Sequence, residues 1–238
     1  MGRGCRPRSR LRDAATAGVR RYPHRQRRHP VTRRRRTHMR SILALIVLAT
    51  LVACTSLVST QRASMGSVVA VMTDSGHGTG FPVSKHCVVT AEHVVDGAEK
   101  TVRFAGPDKV EHQAKVVRQD ADLDIAVVCA DTAKMTPVRF APRMPERYAP
   151  VYTIGNPLIY NQIMTEGRYQ GGSTITADVA PGNSGGPVFD ENGDVIGLAD
   201  ALAVMMSPMG VMTFAHLATI VTVEKIRPFV AGTPEAQA

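Results

Sequence analysis

Ala180-Pro181-Gly182-Asn183-Ser184-Gly185-Gly186-Pro187-Val188 is the most specific stretch of the chain. An ordinary serine hydroxyl is a poor nucleophile. It needs a base, and it needs a place for the negative charge that develops on the attacked oxygen. Gly182 allows a bend that aims successive backbone N–H groups inward, so the amides of Gly182 and Ser184 can converge on one carbonyl oxygen. Gly185 and Gly186 let a bound chain and a neighbouring strand approach closely. Asn-Ser-Gly-Gly alone also suits a glycine-rich hairpin, so the chemical reading needs partners elsewhere in the chain.

Two segments upstream supply them. Val88-Val89-Thr90-Ala91-Glu92-His93-Val94-Val95 and Asp122-Leu123-Asp124-Ile125-Ala126-Val127-Val128 each place an ionisable residue at the end of an apolar strand. A lone histidine there is usually structural, and a lone aspartate usually belongs to a turn. Histidine, aspartate and serine, each in such a context, are far less expected together by chance.

Around these segments the chain breaks into short apolar runs punctuated by Gly, Pro, Asp and Asn. The first group of predicted strands is Val68–Met72, Gly80–Val83, Cys87–Thr90, Thr101–Ala105, Val110–Arg118 and Ile125–Cys129. The second is Pro137–Phe140, Val151–Ile154, Ile163–Tyr169, Ser173–Ala177, Pro187–Phe189, Val195–Ala203 and Val211–Phe214. A Pro- and Arg-rich break at Pro142–Pro150 divides them. Ile220, Val223, Ile226 and Val230 recur at near-helical spacing and predict a terminal helix over Ala218–Val230. Many short strands without alternating helices point to all-β barrels or a sandwich, not a parallel α/β sheet.

The order His93, Asp124, Ser184 resembles that of the trypsin-like serine proteases, in particular their compact bacterial HtrA/Deg-like branch. Gly78-Thr79-Gly80-Phe81, Ile154-Gly155-Asn156-Pro157 and Thr213-Phe214-Ala215 are similar to further family motifs, and the resemblance extends over residues 66–232. It implies two antiparallel six-stranded β-barrels with the site in the cleft between them, and a C-terminal helix. By motif, Ser184 is the expected nucleophile and His93 the general base. Asp124 is the group that orients His93, and the amides of Gly182 and Ser184 form the oxyanion hole. Asp120 and Asp122 compete for the acid role; Asp124 is preferred because Asp-Ile-Ala-Val matches the family pattern. The resemblance implies protein or peptide substrates, no cofactor and no metal. The 54 residues after Ser184 leave no room for a PDZ domain once strands and helix are placed. Asp178 lies six residues before Ser184, the offset of the acidic pocket base in trypsin-like enzymes, and Asp200 lies on a strand expected to line the pocket. Both are candidates for binding a basic substrate side chain. Nothing in the sequence sets the oligomeric state.

Charge is unevenly spread. The 238 residues carry a net +9, but residues 1–40 hold fifteen arginines against one aspartate, and the remainder is net −5. The basic segment is therefore an arm, and the body is not expected to bind nucleic acid. The expected organisation is a disordered arm over 1–38, a lipoprotein-type signal or membrane anchor over 39–54, a linker over 55–65, the body over 66–232 and a tail over 233–238. Met39-Arg40 precedes an apolar run ending in Leu51-Val52-Ala53-Cys54, which resembles a bacterial lipobox with Cys54 as the lipidated residue. An uncleaved anchor over 42–58 is the alternative. Either places the body outside the cytoplasm, facing the periplasm or the cell exterior, where Cys87 and Cys129 are free to pair or to stay as buried thiols.

Gly182-Asn-Ser-Gly-Gly186 also satisfies the G-x-S-x-G elbow of α/β-hydrolases, but that fold needs its acid and histidine after the serine and alternating helices before it. A catalytically silent binding module on the same barrels is the stronger alternative. His77, His86, His112 and His216 have no metal-ligand spacing. Met205, Met206, Met209 and Met212 suit core or loop filling better than an adaptable pocket.

Overall fold

The computed structural model describes residues 42–47, 50, 59–74, 76–97, 102–106, 109–207 and 210–237, with backbone alone over 202–207 and 210–215. Contacts divide the chain into Met1–Leu48 and Ala49–Ala238. In the first unit, residues 42–47 are helical. Among the described residues no helix is long and apolar enough to cross a membrane. Cys54 and the basic arm lie outside the described residues.

The second unit holds two closed antiparallel barrels. In the first, β1 (Val69–Met72), β2 (His77–Pro82), β3 (Cys87–Thr90), β4 (Val102–Ala105), β5 (Glu111–Asp120) and β6 (Ile125–Cys129) close in the order β1-β2-β3-β6-β5-β4. In the second, β7 (Pro150–Gly155), β8 (Ile163–Gly171), β9 (Thr174–Ile175), β10 (Pro187–Asp190), β11 (Val195–Ser207) and β12 (Gly210–Thr222) close in the order β10-β11-β12-β9-β8-β7. Helix α1 (Glu92–Val95) follows β3 and α2 (Val223–Ala231) follows β12, before a 3-10 turn at Pro234–Gln237. This is the architecture that the resemblance implied.

Strand alternation explains how each barrel fills. Side chains on a strand point to opposite faces in turn. Ala126 and Val128 of β6 enter the core of the first barrel with Val69, Val71, Val88 and Phe104. Their neighbours Ile125 and Val127 face the other way, into a core shared between the barrels with Phe81, Ile154, Phe189 and Leu198. β6 therefore reads as an unbroken apolar run because both its faces are covered. Ile175, Val188, Ile196 and Ile220 fill the second barrel. Phe81, Phe104 and Phe189 are fully buried, and each such side chain contributes about 1.5–3 kcal/mol of transfer free energy. Two of the three lie in the shared core, which fixes the barrels against one another.

Two elements differ from expectation. Pro137–Phe140 forms no strand; only Phe140 makes an isolated bridge, to Val195. Pro137 and Pro142 bracket this segment, and neither can donate to a ladder. The terminal helix starts at Val223, not Ala218, because residues up to Thr222 pair with β11: Ala218 meets Leu202 and Thr222 meets Gly197. Ladder hydrogen bonds outweigh the near-helical spacing of Ile220 and Val223. Ile226, Phe229 and Val230 of α2 then cover the shared core. Cys87 and Cys129, direct partners in the β3–β6 ladder, are joined in a disulfide.

Candidate active site

His93 sits in the four-residue helix α1, which is too short to be stable by itself. Its position comes from packing: the buried Val95 anchors the turn in the first barrel. Asp124 ends the tight turn into β6 with φ of 51°, a conformation that Asp tolerates far better than branched residues. Asp120 caps that turn, accepting from the Leu123 amide at 3.0 Å, and Asp122 is exposed. Of the three aspartates, only Asp124 reaches the histidine.

The contact is dense. His93 Nδ1 lies 3.0 Å from both Asp124 oxygens, and the His93 backbone N–H donates to Asp124 Oδ1 at 3.0 Å. The hydrogen bond to Asp124 raises the His93 pKa above its ordinary value, overcoming the burial that opposes it. Burial pushes Asp124 upward, but the hydrogen bonds from the His93 ring and backbone prevail and hold it below the usual carboxylate range. Nδ1–H is thereby fixed toward Asp124, which leaves Nε2 as the ring's acceptor.

Ser184 lies on a turn whose carbonyls are pinned. Pro181 O accepts from the Leu158 amide at 2.9 Å, and Asn183 O accepts from the Gly186 amide at 2.8 Å. A trans peptide directs its N–H opposite to its C=O. The Gly182 and Ser184 amides, which share those two peptides, therefore point away from the anchoring contacts. Among the described residues neither amide donates to a protein acceptor. Gly182 has φ of 99°, and a Cβ there would stand 2.4 Å from Asn156 O.

Thr79, fully buried on β2, holds this turn from the other barrel. Its amide donates to Ser184 O at 2.9 Å. Its hydroxyl donates to Gly182 O at 2.6 Å and accepts from the Asn156 amide at 2.9 Å. The motif containing Thr79 was noticed in the sequence, but this clamp was not, because a threonine in a buried strand carries no signal of its partners. Thr79→Val keeps the shape and removes the hydroxyl. It is expected to lower kcat by about tenfold, the rate equivalent of one or two lost hydrogen bonds, with KM little changed, as read by steady-state peptide cleavage. Gly185, at φ of 82°, would bring a Cβ within 2.3 Å of Thr79 O. Gly185→Ala should therefore cost roughly 2–4 kcal/mol of stability, measured by urea unfolding.

His93, Ser184, Asn183, Ala199 and Asp200 share the lining of a cavity of about 360 Å³ with Val179–Pro181 and Ala201. Ser184 Oγ donates to the Asp200 carbonyl at 3.1 Å. The serine hydroxyl is thus turned to β11, and a rotation about its Cα–Cβ bond is what exchanges that acceptor for another. The Asp200 carboxylate faces Asp124 and His93; donor atoms of the three come within 4.8 Å of one another. Within this group His93 and Asp124 are hydrogen-bonded to each other.

Asp178 does not line this cavity. Its carboxylate pairs with His216 at the surface, and its carbonyl is held by the Thr165 hydroxyl at 2.7 Å. His216 thus has a partner that sequence spacing did not suggest. His77 contacts Asn156 O at 3.2 Å and His112 the Thr132 hydroxyl at 2.9 Å. The side chains of Met205, Met206, Met209 and Met212 lie outside the described residues.

The trypsin-like peptidase domain matches residues 78–198. Serine protease Rv3671c of Mycobacterium tuberculosis is 32% identical over 146 residues, covering 53% of this chain and 36% of that protein. A probable periplasmic serine protease do/HhoA-like of Haemophilus influenzae is 34% identical over 152 residues, covering 57% of this chain and 32% of that protein. The chain thus spans about a third of the length of these relatives. The crystal structure of the Rv3671c protease in its active form superposes with a TM-score of 0.65 at 26% identity, over 74% of this chain and 84% of that one.

Proposed function

The chain belongs to the trypsin-like peptidase domain family, and from that premise we propose that it is an exported, membrane-tethered serine endopeptidase that works through an acyl-enzyme. Ser184 is the nucleophile, His93 the base and then the acid, and Asp124 the residue that fixes the His93 tautomer. The observation that carries this reading is the Asp124 carboxylate bound to both the ring and the backbone of His93, with His93 and Ser184 lining one cavity.

In the first step the Ser184 hydroxyl leaves the Asp200 carbonyl and turns to His93 Nε2. Its oxygen bonds to the substrate carbonyl carbon as its proton passes to Nε2. The carbonyl π-electron pair moves onto oxygen, and the Gly182 and Ser184 amides receive that charge. The C–N bond breaks as His93 returns the proton to the leaving amine. Water then repeats the sequence on the ester and releases the acid and free Ser184. Proteins or peptides are the substrates. The tether is placed at Cys54, on the strength of the apolar run and Leu51-Val-Ala-Cys54. The periplasmic designation of the Haemophilus relative supports export. A Cys54→Ser chain that still takes up labelled lipid would overturn the placement of the lipid on Cys54.

Labelling by a fluorophosphonate, with loss of label in Ser184→Ala, is the test of the hydrolase reading. A second reading, a silent binding module, draws support from the Ser184 hydroxyl being bound to Asp200 O instead of His93; a folded protein that never labels would establish it. The raised His93 pKa also fixes a pH profile. Protonated His93 cannot accept a proton, so kcat/KM rises with pH through its titration. That midpoint is expected above the value of a solvent-exposed histidine, because the bond to Asp124 favours the imidazolium. Initial rates across pH on a neutral peptide measure it, and a midpoint at or below the ordinary histidine value would contradict the assigned pairing.

A further inference from the structure

We propose that Asp200 is a positioning residue whose protonated carboxyl donates its hydrogen to the Asp124 carboxylate and so steadies the His93–Asp124 pair. The rate consequences rest on the hydrolase reading above; the placement of the proton does not.

Asp200, Asp124 and His93 bring one donor or acceptor atom each within 4.8 Å of the others. Two ionised carboxylates this close, half-withdrawn from water, repel, and one retains a proton. The surroundings decide which. Asp124 accepts from the His93 ring and from the His93 amide, both at 3.0 Å, and these bonds favour its anion. Among the described residues the Asp200 carboxylate has one hydroxyl neighbour, Thr219 Oγ1 at 3.2 Å. The single hydrogen of Thr219 is contested by Ala201 O, also at 3.2 Å. The proton therefore resides on Asp200. The direction of titration agrees: burial and then the neighbouring Asp124 raise Asp200 above the ordinary carboxylate value.

The charged groups facing this carboxyl are Asp124, from the turn before β6, and His93, from α1; Glu92 on α1 also faces His93. When Asp200 ionises, Asp124 loses the donated hydrogen and gains a like-charged neighbour. The added negative charge also holds a proton on His93, and a cationic ring cannot serve as base. Ionisation of Asp200 would therefore oppose activity twice, by withdrawing the donor from Asp124 and by raising the pH at which His93 becomes a base. The Asp200 carbonyl meanwhile accepts from Ser184 Oγ at 3.1 Å, so one residue meets both ends of the site.

Asp200→Asn is the decisive variant, since it is neutral at every pH and keeps an N–H for Asp124. It is expected to retain far more activity than Asp200→Ala and to leave the acidic limb of kcat/KM in place, because one neutral donor replaces another. Asp200→Ala, which offers no donor, should lower kcat by about tenfold with KM little changed. An acidic limb displaced to lower pH in Asp200→Asn would show that wild-type Asp200 is ionised while His93 titrates, and would overturn the proposal. A measurement independent of turnover is ¹³C NMR of the full chain labelled at aspartate Cγ, with Asp200 assigned by its absence in Asp200→Asn. A protonated-carboxyl signal persisting above the pH at which exposed aspartates ionise supports the proposal, and a signal that titrates with them refutes it. Wild type that fails to react with fluorophosphonate would sink the hydrolase reading and leave the NMR result to decide the proton's location.

Discussion

Ser184→Ala is expected to lower kcat/KM by about a million-fold and to abolish fluorophosphonate labelling, while the protein stays folded. The size of the loss follows from what the hydroxyl does: without Oγ there is no acyl-enzyme, and water must attack with only the oxyanion site and binding to help. The fold is spared because Oγ makes one hydrogen bond, to Asp200 O. Removing it costs about 1 kcal/mol, and the turn stays pinned by Pro181 O, Asn183 O and Thr79. Stopped assays with a quenched peptide, beside a thermal melt, check both halves. Residual cleavage near the wild-type rate would show that another group is the nucleophile.

Asp124→Asn should reduce kcat by about ten-thousand-fold, and the reason is local. Asp124 Oδ1 accepts from the His93 backbone amide at 3.0 Å. In the asparagine variant the carbonyl oxygen keeps that partner and the NH₂ turns to the ring. An NH₂ can only donate, so it takes up the Nδ1 lone pair and forces the ring hydrogen onto Nε2. His93 then has no lone pair to offer Ser184. The variant should fold, because asparagine accepts the left-handed conformation that Asp124 adopts at φ of 51°. Single-turnover rates read the effect, and the His93 ¹⁵N shifts report the tautomer.

His93, Asp124 and Ser184 were legible in the sequence because each stands where a strand ends, in a local pattern that survives without knowledge of the fold. The number of strands was nearly as clear, since turns are written in Gly, Pro and Asn. Properties set by distant partners were not legible. Thr79 meets Gly182 across 103 residues and Asn156 across 77, and no local pattern announces such meetings. Asp200 was placed on the right strand, but its direction was not readable. The β11–β12 register shifts between Ala199 and Leu202, and a bulge breaks the alternation from which facing is inferred. The start of α2 failed for a related reason: Ile220 and Val223 fit a helical period, yet Ile220 belongs to a ladder with Ala199.

The Cys87–Cys129 bond closes the far ends of β3 and β6, the two strands whose near ends deliver His93 and Asp124. Between them lie Val88 opposite Val128 and Val89 opposite Val127, side chains so alike that sliding one strand by two residues would keep every face correct and bury much the same groups. Such a slip would carry the aspartate about 7 Å past the imidazole. Valine cannot tell these alignments apart, whereas a covalent link between sulfurs can. Oxidation therefore acts as a molecular ruler, choosing among near-degenerate alignments the one in which proton transfer is geometrically open. A chain folded under reducing conditions would have to find it without that guide.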